Sequence, residues 1–188
     1  SDRPLAEMGY TEDFRIDQPS HRSLRAVSQA LQQANRPVLL LGSGSMLSPT
    51  MAAELSESVI KMGIPVYLSG MARGLAGRHN TVQYCHHRKE ALREADLIIL
   101  AGVPCDFRLD YGRTLSRRAK KIAINRNPSE LHKNLRADRT VHTAPGQFLI
   151  ALARQLPTLP HWSEWKKTLQ GREDAREAEI AQMAGEQV

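Results

Sequence analysis

The sequence is poor in cysteine and aromatic residues and has no long apolar run, and each shortage excludes a class of protein. Two cysteines, Cys85 and Cys105, in 188 residues make no disulfide framework, and their scarcity suits a reducing, cytoplasmic compartment. No stretch approaches the roughly 20 apolar residues that span a bilayer, and the polar start Ser1-Asp2-Arg3-Pro4 lacks the apolar segment of a secretion signal. The expectation is an intracellular protein with no membrane segment. Aromatic residues are 5% of the chain, which matters for its charge of +6. Basic residues gather at Arg113, Arg117, Arg118, Lys120 and Lys121, but no aromatic side chains alternate with them and no nucleic-acid-binding motif is present. A solvated basic face, or one that meets an acidic neighbouring domain or an anionic nucleotide, accounts for the charge without nucleic acid.

What remains is ordinary globular composition, 41% hydrophobic and 24% charged, in a chain long enough for one well-buried core. Its most telling stretch is Pro37-Val38-Leu39-Leu40-Leu41-Gly42-Ser43-Gly44-Ser45. An apolar run ending in a glycine pair reads as a buried parallel strand feeding the mouth of a ligand site. The dinucleotide fingerprint is incomplete: Leu47 stands where its third glycine belongs, and no acid follows the second strand at Leu68-Ser69-Gly70 to hold a ribose.

Residues 1–19 read as a connecting arm, mixing proline, glycine and charge without periodicity. Residues 20–158 read as a central α/β domain. Ser20 caps a helix carrying Leu24, Val27 and Leu31, and Val38 to Leu41 is the first strand. Ser48 and Pro49 open a second helix that Gly63 ends. Ile64 to Leu68, Leu97 to Ala101, Lys121 to Ile124 and Arg139 to Thr143 are further strands. Between them fall helices through Glu90 to Leu92, from Asn127, and from Pro145 to Leu156. This alternation predicts a doubly wound, mostly parallel, Rossmann-like sheet of about five or six strands with helices on both faces. Residues 159–188 read as a helical connector, whose charged part from Arg172 onward is marginal as an isolated helix. Trp162, Trp165 and Leu169 form one more apolar stripe there, and removing the chain after Pro160 is expected to leave the sheet folded with some loss of stability from the two tryptophans.

Three strand ends converge on one sheet edge with groups suited to a phosphate or sugar. Gly42, Gly44 and Ser45 follow the first strand; Gly70, Met71, Arg73 and Gly74 follow the second; Gly102, Asp106 and Arg108 follow the third. Glycines there bring backbone amides close to an anion, with Arg73 as a fixed charge. A bulky residue at Gly44 is expected to fill the space a phosphate needs. The ordinary alternative, turn glycines and an Asp106–Arg108 ion pair, is outweighed by the coincidence of three such loops. No metal site is expected at Cys85-His86-His87, because no second pair lies at zinc-ligand spacing. Cys105 has no base in its own loop and reads as a small buried side chain.

On Leu41-Gly42-Ser43-Gly44-Ser45, Gly70-Met71-Ala72-Arg73-Gly74-Leu75-Ala76-Gly77-Arg78, Leu100-Ala101-Gly102-Val103-Pro104-Cys105-Asp106-Phe107-Arg108 and Ile124-Asn125-Arg126-Asn127, the chain resembles the central domain of thiamine-diphosphate-dependent enzymes. It is most similar to the acetolactate synthase-like group and the 2-hydroxyacyl-CoA lyases. Asn125 and Asn127 stand where many relatives carry aspartates. The resemblance implies a three-domain carboligase or lyase. Flanking domains absent from these residues would hold thiamine diphosphate and magnesium, and the parent would be a homo-oligomer. It also implies that FAD, ADP or no nucleotide is held by this domain, at the glycine loops and at Asn125 and Asn127, and that the domain contributes no catalytic residue. A free-standing sirtuin- or transhydrogenase-like nucleotide enzyme, and a purely scaffolding domain, are the competing expectations.

Overall fold

Ser20 opens the first helix as its residue type predicts: its Oγ accepts the Ser23 N–H at 3.2 Å. Helix α1, His21–Gln33, buries Leu24, Val27, Ala30 and Leu31. The computed structural model describes residues 18–46, 49–77 and 80–185. Most of the connecting arm, Leu47, the Ser48 cap and Arg78 lie outside the described residues.

The strands are β1 Pro37–Leu41, β2 Val66–Leu68, β3 Leu97–Ala101, β4 Lys120–Asn125 and β5 Arg139–His142. The remaining helices are α2 Pro49–Met62, α3 Arg88–Glu94, α4 Pro128–His132, α5 Pro145–Gln155 and α6 Ser163–Gly185. Every strand pairing is parallel, in the order β2-β1-β3-β4-β5. The central strands β1 and β3 are buried at every residue, which is why they read as unbroken apolar runs. The chain steps one way from β1 to β2 and the other way from β2 to β3. Right-handed crossovers then set α2 and α3 on opposite faces, giving the doubly wound α/β sheet. The reversal point lies between β1 and β3, and ligands of such sheets bind outside the strand ends there.

Strand β2 begins at Val66 rather than at Ile64, because Pro65 has no N–H to give to a ladder. Its outer edge is not open. The Val66 N–H donates to Val82 O at 2.8 Å and the Val66 carbonyl accepts the Tyr84 N–H at 2.9 Å, a short parallel bridge that covers the edge.

The chain beyond Pro160 is anchored more firmly than its charge suggests. Trp162, Trp165 and Leu169 are 7%, 4% and 1% exposed and belong to the core. The two indole N–H groups donate to Ala34 O at 2.9 Å and Pro37 O at 3.0 Å, which ties α6 to the segment entering β1. Past Glu173 nearly every described side chain of α6 is exposed. The charged half therefore behaves as its composition predicts, and the apolar stripe of Trp162, Trp165 and Leu169 is buried in the core.

Candidate functional site

The loops after β1, β2 and β3 meet at one sheet edge, as the sequence predicts, but they meet each other. A Cβ on Gly42 would lie 2.5 Å from Gly102 O, and one on Gly44 would lie 2.9 Å from Gly102 Cα. Gly102 itself has φ +64°, and a Cβ there would lie 2.6 Å from Ser45 N. The glycines thus allow two backbones to touch at the point where the strand order reverses. Their amides are also engaged: Gly42 N donates to Ala101 O at 3.0 Å, Gly44 N to Gly102 O at 3.2 Å and Ser45 N to Gly42 O at 3.0 Å. Ser45 Oγ donates to Ala101 O at 3.0 Å. A side chain added at Gly44 would therefore meet the backbone of Gly102.

The second loop joins through Ser43, whose Oγ accepts the Met71 N–H at 2.9 Å. Gly70 packs against the same hydroxyl. Past that contact the loop opens. Nothing lies within 4 Å of a Cβ placed on Gly74, Arg73 is exposed, and the Met71 side chain is 69% exposed.

Asp106 and Arg108 form the local pair that was the ordinary alternative. Asp106 Oδ1 accepts the Arg108 N–H at 2.9 Å and Oδ2 accepts from Arg108 Nη1 at 2.9 Å, while the guanidinium sits 5.1 Å from the Phe107 ring centroid. The two asparagines serve their own turn. Asn125 Oδ1 accepts the Asn127 N–H at 3.1 Å, and Asn127 Oδ1 accepts from Ser129 N and Oγ at 3.0 and 2.8 Å, capping α4. Cys105 is buried and its thiol is pushed up by burial and then by Asp106, which disfavours the thiolate.

A depression lies to one side, against the β2 edge. It has a volume of about 740 Å³ and is lined by Tyr67, Arg73, Tyr84, His87, Arg88 and Lys89 among others. Arg88 Nη2 donates to Arg108 O at 3.1 Å, linking this hollow to the β3 loop. Tyr67 and Tyr84 stand with ring centroids 6.2 Å apart. Burial and then Glu173 push both phenols upward, so they remain neutral hydrogen-bonding groups. Of the expected site residues only Arg73 lines this hollow. Arg88 and Lys89, which also line it, were not singled out from the sequence, although two basic residues at the start of a helix were a visible signal.

The loops carrying Gly42, Gly44, Ser45, Gly70, Met71 and Gly102 meet one another, and their interlocking is what the sequence does not reveal. Comparison with known proteins agrees with this architecture. The family described as thiamine pyrophosphate enzyme, central domain, matches residues 24–152. The chain is 42% identical over 171 residues to 2-hydroxyacyl-CoA lyase 2 of Caenorhabditis elegans, covering 87% of this chain and 26% of that protein. It is 43% identical over 180 residues to the Xenopus laevis protein of the same name, covering 89% and 27%. Against the acetolactate synthase large subunit IlvG of Mycobacterium tuberculosis it is 33% identical over 115 residues, covering 61% and 21%. The chain spans about a quarter of the length of the lyases it matches. No helix among the described residues is long and apolar enough to cross a membrane. The matching residues run from α1 into α5 and take in the whole sheet, so the chain belongs to the thiamine pyrophosphate enzyme central-domain family.

Proposed function

We propose that this chain is the structural, non-catalytic middle domain of a thiamine-diphosphate-dependent carbon–carbon lyase, whose flanking domains carry thiamine diphosphate and magnesium. The observation that carries the reading is the closure of the β1 and β3 loops upon each other. A sheet whose reversal point is filled by backbone, with its glycine amides satisfied internally, has no phosphate cradle left there. The donor set does not fit thiamine diphosphate with magnesium either. The carboxylate of the β3 loop, Asp106, is held by Arg108, and hard divalent ions need oxygen ligands.

Higher identity over more of the chain supports a parent that acts on 2-hydroxyacyl-CoA, as the names of the lyases say, over one that makes acetolactate. Cleavage would occur at the carbon–carbon bond beside the carbonyl, with the cofactor as electron sink. The parent would be a homo-oligomer in a reducing, cytoplasmic compartment, in keeping with free Cys85 and Cys105. The test is turnover. The longer gene product should cleave a 2-hydroxyacyl-CoA with thiamine diphosphate and magnesium, and this chain alone should not. Activity of the chain alone would sink the proposal.

A second reading is favoured by the hollow beside β2, where Arg73, Arg88 and Lys89 surround space large enough for a nucleotide. There an adenine nucleotide, ADP or FAD, would set its phosphates toward the cations. Calorimetric titration with ADP, FAD and NAD decides it. Heat for ADP or FAD that Arg73→Ala abolishes supports the second reading. No heat for any of the three at millimolar ligand leaves the scaffold alone, and heat for NAD alone would revive the free-standing enzyme.

A further inference from the structure

Helix α6 brings two acids to a histidine far away in sequence. A ring nitrogen of His86, a carboxylate oxygen of Glu173 and one of Glu177 lie within 4.8 Å of one another. His86 precedes α3, whereas Glu173 and Glu177 sit one turn apart on α6 and so share a helix face.

The electrostatics of this group are unfinished. Glu173 is 7% exposed. Its Oε1 accepts the N–H groups of Cys85 and His86 at 2.9 and 2.6 Å, and its Oε2 has no hydrogen bond among the described residues. Neither acid has an ion-pair partner there, because the neighbouring arginines turn elsewhere: Arg172 to Glu94 at 2.7 Å and Arg176 to Glu179 at 2.7 Å. Two like charges at this spacing on a helix destabilise it, and a buried carboxylate calls for a counter-charge. The field of Glu173 reaches the surroundings. Tyr67, Tyr84 and Cys85 are each pushed upward by burial and, after it, by Glu173, with Arg172 opposing the shift at Tyr67 and Arg73 opposing it at Cys85.

We propose that His86, Glu173 and Glu177 form a binding site for a divalent transition-metal ion, zinc being the representative case, which fastens α6 to the loop preceding α3. One imidazole with two carboxylates is a donor set for zinc, manganese, iron or cobalt rather than for magnesium or calcium, which take oxygen ligands. Three protein ligands leave the remaining coordination positions to water. The two backbone N–H bonds hold the Glu173 carboxylate in place from behind, as supporting hydrogen bonds do in metal sites. The ion neutralises the pair of carboxylates and fixes the direction in which α6 leaves the sheet.

The test uses the full chain, stripped with a chelator and titrated with Zn²⁺, and with Co²⁺ for its visible absorption. One equivalent should bind. The melting temperature should rise by about 5–10 °C at a free ion concentration 100-fold above the dissociation constant. His86→Ala and Glu177→Gln should each weaken binding by at least about 10-fold. Glu177 is exposed, so its variant will fold. Absence of binding at millimolar ion overturns the proposal, as does binding that survives both substitutions. Binding lost with Cys85→Ser but kept in the other two variants would assign the ion to the thiol, and overturn it equally.

Discussion

Replacing Trp165 by alanine tests whether α6 is part of the folding unit or an appendage. The indole is 4% exposed, and its Nε1 donates to Pro37 O at 3.0 Å, at the first residue of β1. Truncating a buried aromatic side chain costs about 3–5 kcal/mol, against a total stability of about 5–15 kcal/mol for a domain. At about 2–4 °C per kcal/mol for a chain of this size, Trp165→Ala should lower the melting temperature by about 6–20 °C. Trp165→Phe keeps most of the apolar area but orphans the Pro37 carbonyl, and should cost about 1 kcal/mol for the hydrogen bond in addition to the smaller ring. Urea unfolding followed by circular dichroism measures both variants, with an unchanged slope confirming that the same surface is exposed. A control lies further along the helix. Met183 is 48% exposed, and Met183→Ala should stay within about 0.5 kcal/mol of the parent. A loss below about 1 kcal/mol for Trp165→Ala, where a buried aromatic should cost 3–5, would refute the docking. The same reasoning predicts that cutting after Pro160, which removes Trp162, Trp165 and Leu169 together, abolishes cooperative thermal unfolding, whereas cutting after Glu177 preserves it.

Gly102→Ala should unfold the chain or cost more than about 3 kcal/mol in denaturant titration, since its Cβ would collide with Ser45 N in a left-handed backbone, while Gly74→Ala, equally left-handed but in open space, should cost about 1–2 kcal/mol. Asn127→Ala removes the α4 cap and should cost about 1 kcal/mol by the same measurement. Tyr67, whose OH donates to His86 O at 3.2 Å, is held above the ordinary tyrosine range by burial and then by Glu173. Its raised folded-state value means its stabilisation is complete below the unfolded pKa of about 10 and is lost as pH rises through that value toward the folded one. Unfolding midpoints measured from pH 9 to pH 11.5 should therefore fall more steeply in the parent than in Tyr67→Phe, and equal slopes would remove Tyr67 from the account.

Local sequence determined much of this protein. Short unbroken apolar runs that end at glycine read as strands buried on both faces, so β1 and β3 were legible, and the alternation with helical stripes pointed to a parallel doubly wound sheet. Ser20 cap chemistry, the Gly63 terminus and the Asn127 turn depend on neighbours a few residues away and were legible for the same reason. What needed the tertiary structure depends on residues distant in sequence. The glycines at positions 42, 44 and 102 are the same three letters whether they cradle a phosphate or let two loops interlock. Only the tertiary structure shows the loops touching, with a Cβ on Gly42 lying 2.5 Å from Gly102 O. Trp162 and Trp165 sit in a segment whose charge resembles a solvated connector, and their burial rests on carbonyls of residues 34 and 37, 128 positions back in each pair. Likewise, no spacing rule pairs His86 with Glu173 and Glu177, because only the docking of α6 on the core brings the acids to the loop before α3.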